Sequence, residues 1–273
     1  MSAAESRPDE KYALRSLGRA LDLLLALADA DAKGLGVTEI AKAIDVSKST
    51  AFALLQALLA RGFVADVRVG GSRHYRLGMQ LVYLGDRAGA DLGVVHVATP
   101  ILHELTAATG LTSRLAVLDE GYAVAIARVD APGVYRLSSS LGRRELPHCS
   151  ALGKALLSTL AREDRRRIVE TIGMPRRTER TIVDPDRLDE ELALTARRGY
   201  AFDDEEDDSG VVCVGAAIVG RTGQAEAAIS VTGLRLDGRT SNLDALGRQV
   251  SAHADRISRL IGGPVHAERG GRG

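Results

Sequence analysis

Residues 38–61 hold two helix-forming stretches separated by only three residues, and this short connection constrains the fold more than any other feature of the chain. The first stretch places Ile40, Ala41 and Ile44 on one face, with Thr38 positioned as its N-cap. A tight turn, Asp45-Val46-Ser47, follows. From residue 48 to residue 61 the spacing predicts a second helix with Phe52, Leu54, Leu55, Leu58 and Leu59 as candidate core positions. Gly62 stands where a left-handed residue would end it. Two helices joined this closely, the second opened by small polar residues, form a helix-turn-helix pattern.

The flanks fit the same unit. Leu17, Ala20, Leu21, Leu24, Leu25 and Ala28 recur at three- and four-residue spacing, which predicts an amphipathic helix over 16–30, broken by Lys33-Gly34-Leu35-Gly36. Two strand-like runs, 63–69 and 74–77, surround Gly70-Gly71-Ser72. They predict a hairpin with a flexible tip that carries Arg68, Arg73 and His74, in the manner of a wing.

The second helix offers free backbone N–H groups and a positive dipole end to a phosphate. Lys48, Ser49 and Thr50 sit there as donors for phosphates or base edges. With Thr38, Ser47, Phe52, Gln56, Arg68, Arg73 and His74 they make the candidate DNA-contacting set. Between residues 47 and 76, five bases face one acid, Asp66, although the whole chain balances 36 bases against 36 acids. The alternative is a helical packing module that binds nothing; the hairpin and the local positive balance favour DNA.

At 273 residues the chain is long enough for two domains. Aromatics make up 3% with no Trp, so the core falls to Leu, Val, Ile and Ala. The two cysteines, Cys149 and Cys213, are too few for a disulfide framework and suit a reducing compartment. The N-terminus lacks an apolar leader and no run reaches eighteen apolar residues, so a cytoplasmic protein with no membrane partner is expected. Residues 1–11 and 268–273 are expected to be disordered ends.

Beyond residue 78 the period alternates. Helices are predicted over 79–90, 99–109, 150–160, 163–171, 187–198 and 243–261, and strands over 113–118, 122–130, 135–139, 211–219 and 226–232. This mixture implies an α+β chain whose second domain is an α/β unit on a largely antiparallel sheet.

Several spaced motifs carry a resemblance. Pro147-His148-Cys149-Ser150-Ala151-Leu152-Gly153-Lys154-Ala155 is similar to the effector-domain signature of the IclR family of transcription regulators. So are Gly199-Tyr200-Ala201, Asp204-Glu205-Glu206, Gly210-Val211-Val212-Cys213 and Ala228-Ile229-Ser230-Val231-Thr232-Gly233. Nearer the start, Ser47-Lys48-Ser49-Thr50, Leu54-Leu55-Gln56, Arg61-Gly62-Phe63 and Tyr75-Arg76-Leu77-Gly78 match the same family. The resemblance implies a winged helix-turn-helix domain at 12–78, a linker helix at 79–92 and a GAF-like effector-binding domain at 93–262. It also implies a homodimer or tetramer, a palindromic operator, and a small organic acid or aromatic effector. The effector positions it implies are Val134, Ala151, Leu152, Asp203, Cys213, Ser230 and Thr232. Backbone N–H groups at the start of the 150–160 helix would hold a carboxylate. Two departures stand out: Ala53 where many members carry Arg, and a bulkier Leu152 than relatives with small-acid ligands have.

No cofactor, metal or catalytic residue is expected. Gly153-Lys154 lacks the Gly and the Ser or Thr of a phosphate loop, since His148 and Ala155 occupy those positions. His148 beside Cys149 is no dyad by adjacency alone, so a packed Cys next to a half-exposed His is expected. A zinc site from these and Cys213 lacks a C-x-x-C pair. The six acids at 203–208 lack calcium-loop alternation and predict a solvated turn with only Asp203 pointing inward. The competing functions are a ligandless sensor domain serving as an oligomerisation platform and, more remotely, an enzyme.

Overall fold

In the computed structural model, which describes residues 15–90, 93–132 and 141–264, the chain divides into two units between residues 91 and 92. The N-terminal unit contains α1 (Arg15–Ala28), β1 (Leu35–Gly36), α2 (Val37–Ala43), α3 (Lys48–Leu59), β2 (Val64–Val69), β3 (Ser72–Leu77) and α4 (Gln80–Ala90). Its core joins Leu23 and Leu27 of α1 to Ile40, Ala41, Ala51, Leu55, Val64 and Tyr75.

Local chemistry sets the helix-turn-helix. Asp45 takes a left-handed φ of 49° in the turn. Ser47 caps α3, its hydroxyl accepting from the Thr50 N–H at 3.2 Å. Gly62 is left-handed, as the sequence requires. The hairpin turns on Gly70 and Gly71, both at positive φ, which suits a two-residue loop whose twist matches its strands. The base of the hairpin is fastened to the end of α3. The Gly78 N–H donates to the Phe63 carbonyl at 2.8 Å, and a Cβ on Gly78 would lie 2.1 Å from the Gly62 carbonyl oxygen. The wing's root is therefore held against the C-terminus of α3.

Three expectations for this unit are corrected. The stripe of α1 that enters the core is Leu23 and Leu27, with Leu24 partly buried, whereas Leu17, Leu21 and Leu25 are exposed. The helix is apolar on two adjacent stripes, and spacing alone cannot say which one the rest of the unit covers. Thr38 is exposed inside α2 rather than at its N-cap. Gly36 takes that position, its N–H donating to Glu39 Oε2 at 2.7 Å, because the preceding residues are drawn into β1 beside β3. Phe52 is exposed, not core, because Ala51 and Leu55 supply the buried face of α3.

The C-terminal unit runs α5 (Gly93–Thr109), β4 (Thr112–Asp119), β5 (Tyr122–Val129), β6 (Arg144–Glu145), α6 (Ala151–Leu157), α7 (Arg162–Ile172), α8 (Pro185–Arg198), β7 (Ala201–Asp204), β8 (Val211–Val219), β9 (Ala225–Leu234) and α9 (Leu243–Leu260). Six strands form one antiparallel sheet in the order β6-β5-β4-β9-β8-β7. Helices α5 and α9 cover one face through Leu102, Leu105, Val250 and Ile257 against Leu115, Val214, Ile218 and Ile229. On the other face, α6 packs Leu152, Ala155 and Leu156 onto Ala116, Ala201 and Ala228. Alternation along each strand produces this division.

Helix α5 begins earlier than predicted, at Gly93, and runs through Pro100. Burial of Val94 and Ala98 holds the preceding turn. Three short strands, β1, β6 and β7, carry no readable period of their own. The strand predicted at 135–139 and the two expected disordered ends lie outside the described residues.

Candidate functional site

The N-terminal unit exposes one face of α3. Lys48, Phe52 and Gln56 follow one another at four-residue intervals on α3, with Ser49 and Ala53 beside them, and all five are exposed. At the helix start the Ser47 hydroxyl also meets those of Ser49 and Thr50 at 2.9 and 2.8 Å. Arg68 and Arg73 are directly opposed on the hairpin and share its face. Arg73 is not free: its Nε donates to Asp66 Oδ2 at 2.9 Å, and its guanidinium lies over the Tyr75 ring. Arg68 has no ion-pair partner among the described residues. His74 is half-buried on the opposite side of its strand, and Thr38 is exposed on α2.

In the C-terminal unit, a cavity of about 290 Å³ opens beside the sheet face that α6 covers. Asp203, Cys213 and Thr232 line it, each opposite the next in register across β7, β8 and β9. The Cys213 and Thr232 side chains meet at 3.3 Å. Asp203 is buried, and its Oδ1 accepts from the Glu206 and Asp207 N–H groups at 2.9 and 3.3 Å. Burial pushes its carboxyl up to about 7, against the pull of those N–H groups and of Lys154. Burial also raises the Cys213 thiol, which stays protonated.

The other expected effector positions do not join that wall. Leu152 is fully buried in the layer between α6 and the sheet, and Ala151 starts α6 with its carbonyl against Gly215. Ser230 is buried beside the cavity with its hydroxyl unpartnered. Val134 lies outside the described residues. At the start of α6 the Gly153 N–H already donates to the Ser150 hydroxyl at 3.1 Å. Gly153 itself is fixed by close approach, since a Cβ there would stand 2.4 Å from the Pro147 Cα.

Sequence reasoning missed the charged part of the wall. Arg114 lines the cavity from β4 and is only 5% exposed, paired through Nη1 to Glu145 of β6. Burial opposes its charge, and Glu145, Cys213 and Asp203 outweigh that effect, so its pKa is raised. The available signal was an arginine directly before the apolar run Leu115-Ala116-Val117-Leu118 of a predicted strand. Arg177 and Asp207, joined at 3.2 Å, also line the cavity.

The acidic run is not a solvated turn with one inward group. Glu206 is buried as well, and its Oε1 takes the Nζ of a fully buried Lys154. Asp204 pairs with Arg180 and Arg235, and the Thr178 and Thr181 hydroxyls donate to the Glu205 and Glu206 carbonyls at 2.6 and 2.7 Å. His148 is fully buried rather than half-exposed, because Nε2 reaches the Pro175 carbonyl at 3.2 Å. Burial lowers its pKa. Cys149 is buried as expected. Among the described residues no cluster of His, Cys, Asp and Glu is arranged to hold a metal ion, and no helix is long and apolar enough to cross a membrane.

Comparison with known proteins adds independent findings. Residues 16–68 match the IclR helix-turn-helix domain, and residues 88–259 match the C-terminal domain of the bacterial transcriptional regulator IclR. The chain is 32% identical to the HTH-type transcriptional regulator BhcR of Paracoccus denitrificans, over 92% of this chain and 88% of that one. It is 31% identical to the transcriptional repressor IclR of Escherichia coli, over 92% and 91%. Among solved structures, it is similar to the IclR of Thermotoga maritima, with a TM-score of 0.76 and 26% identity over 91% of this chain and 99% of that one. An IclR homologue from Microbacterium hydrocarbonoxydans, complexed with 4-hydroxybenzoate, shares the fold at a TM-score of 0.73 and 21% identity over 90% and 98%.

Proposed function

The chain belongs to the IclR family of bacterial transcriptional regulators, and on that premise we propose that it is a repressor of a catabolic or metabolic operon, controlled by a small organic acid or polar aromatic effector. The observation that carries this reading is one chain with an exposed helix-turn-helix face and, in a separate unit, a polar cavity of about 290 Å³ lined by Asp203, Cys213 and Thr232. Repression is supported by the Escherichia coli relative, which is a transcriptional repressor. An effector is supported by the Microbacterium homologue bound to 4-hydroxybenzoate.

The operator is a palindrome read by a homodimer, or by a tetramer of two such dimers, because symmetric dimers impose symmetric half-sites. Leu17, Leu21 and Leu25 support a dimer surface on α1, since they form an exposed apolar stripe at four-residue spacing. Lys48, Ser49, Phe52 and Gln56 face the DNA, Arg68 meets a phosphate from the wing, and α4 is the covalent link that carries the effector's influence. That influence is a linkage effect: a ligand changes operator affinity only by binding the two DNA-binding arrangements unequally.

The test is operator affinity measured with and without 4-hydroxybenzoate and a panel of small organic acids, for wild type and for Ser230→Ala combined with Thr232→Val. The expected result is a change of roughly 5–150-fold with at least one compound, lost in the double variant while ligand-free binding persists. Equal affinity with and without every compound would sink the effector-controlled reading.

A further inference from the structure

Among the described residues Arg114 is the one buried cation on the cavity wall, and its hydrogen bonding is incomplete. Its guanidinium holds Glu145 through Nη1 alone, while Nε is buried with no partner among the described residues. On the adjacent strand, directly opposite in register, the Ser230 hydroxyl is likewise buried and unpartnered. A guanidinium taken out of water is strongly unfavoured unless its donors are satisfied. Its fork of N–H groups matches a carboxylate or a phosphate bidentately, and a wall that also carries Glu145, Asp203, Asp207 and Asp208 favours the less charged of the two.

The opposite wall supplies the complementary feature. Both backbone N–H donors at Asp203 go to Oδ1, which leaves Oδ2 without a hydrogen bond among the described residues. Three strand spacings separate β4 from β7, about 14 Å between backbones, and the length of the arginine narrows that gap. Cys213 and Thr232 lie between the two walls as small residues. At about 290 Å³ the space suits a small metabolite.

We propose that this cavity takes a small hydroxycarboxylate, with Arg114 holding the carboxylate and Asp203 Oδ2 accepting from the hydroxyl. The inference rests on the effector reading above and adds to it the chemical class of the ligand and the anchoring residue. Glu145 positions the guanidinium from its other side. At the start of α6 the Gly153 N–H is already engaged by the Ser150 hydroxyl, so the buried guanidinium is the stronger charged anchor for a carboxylate.

The experiment is titration calorimetry on the full chain with lactate, 4-hydroxybenzoate and their amides, lactamide and 4-hydroxybenzamide. Wild type is compared with Arg114→Lys and with the neutral pair Arg114→Gln, Glu145→Gln, thermal melting being used to check folding. At least one acid is expected to bind wild type, with its amide about tenfold weaker or worse, the discrimination that a charge-assisted bidentate contact gives. The neutral pair should bind acid and amide alike, and Arg114→Lys should fall between. The acid–amide comparison in wild type needs no variant, so a variant that fails to fold leaves the test intact. Equal binding of acid and amide, undiminished acid binding in the neutral pair, or no binding by any acid overturns the assignment. Operator affinity measured on the same samples separates the two ideas. Acids that bind through Arg114 without changing operator affinity sink the effector reading alone, whereas an affinity change independent of Arg114 sinks this assignment alone.

Discussion

Lys154 Nζ and Glu206 Oε1 meet at 2.5 Å inside the C-terminal unit, and the lysine side chain has no exposure at all. The pair joins α6 to the loop that follows β7, so it fixes the helix and the acidic run as one piece. Burial raises the Glu206 carboxyl, Lys154 draws it back, and Oε2 has no partner. Removing one member leaves an uncompensated buried charge. Lys154→Met should therefore destabilise the C-terminal unit by about 3–5 kcal/mol, and Lys154→Met with Glu206→Leu should recover much of that loss. Urea unfolding of the three proteins checks this; a double variant no more stable than the single one contradicts it.

Asp203 makes stability depend on pH in a defined direction. Its carboxyl is raised from 3.8 to about 7, so between those values the folded chain binds a proton that the unfolded chain has released. The contribution is full below about 3.8 and is lost as pH rises through about 7. The charged groups around it are Lys154, Glu206 and Asp207 on the helix and loop, and Arg114 across the cavity. Asp203→Asn keeps the acceptor for the two backbone N–H groups and removes the titration. Between pH 5 and pH 8 wild type should lose about 2 kcal/mol relative to this variant. Parallel stability profiles would remove Asp203 as the source.

On the DNA side, Arg68 should matter more than Arg73, because Arg73 already spends its Nε on Asp66. Lys48→Ala and Arg68→Ala should each weaken binding to all sequences and lower the slope of log affinity against log salt by about 0.9. Asp66→Asn frees Arg73 and removes an acid from the wing, so it should strengthen non-specific binding. Fluorescence anisotropy across a salt series measures all three, and an unchanged slope takes the residue off the phosphate list.

The exposed stripe of α1 yields a test of assembly. Leu21→Glu together with Leu25→Glu leaves Leu23 and Leu27 in the core untouched, since the two pairs lie on different faces. The variant should fold, sediment as a smaller species than wild type and lose most of its operator affinity through loss of linked half-sites. Unchanged sedimentation would place the dimer surface elsewhere.

Where a few adjacent residues decide conformation, the sequence was mostly readable, the N-cap of α2 being the exception, since pairing of β1 with β3 moved it from Thr38 to Gly36. The turn at Asp45, the left-handed Gly62 and the Gly70-Gly71 tip each rest on backbone sterics within a few positions. The helix-turn-helix and its wing followed from them, and hydrophobic period placed most elements of the C-terminal unit. The family motifs extended that reading to the domain plan, and for the cavity wall they supplied Asp203, Cys213 and Thr232. What one-dimensional periodicity could not decide was which of two apolar stripes on α1 would be covered, because that depends on where the rest of the unit lies. Nor could it pair Lys154 with Glu206, 52 positions apart, or bring Arg114 to Glu145 across 31. A buried charge persists only beside a partner, and only the folded sheet and its loops bring such partners together.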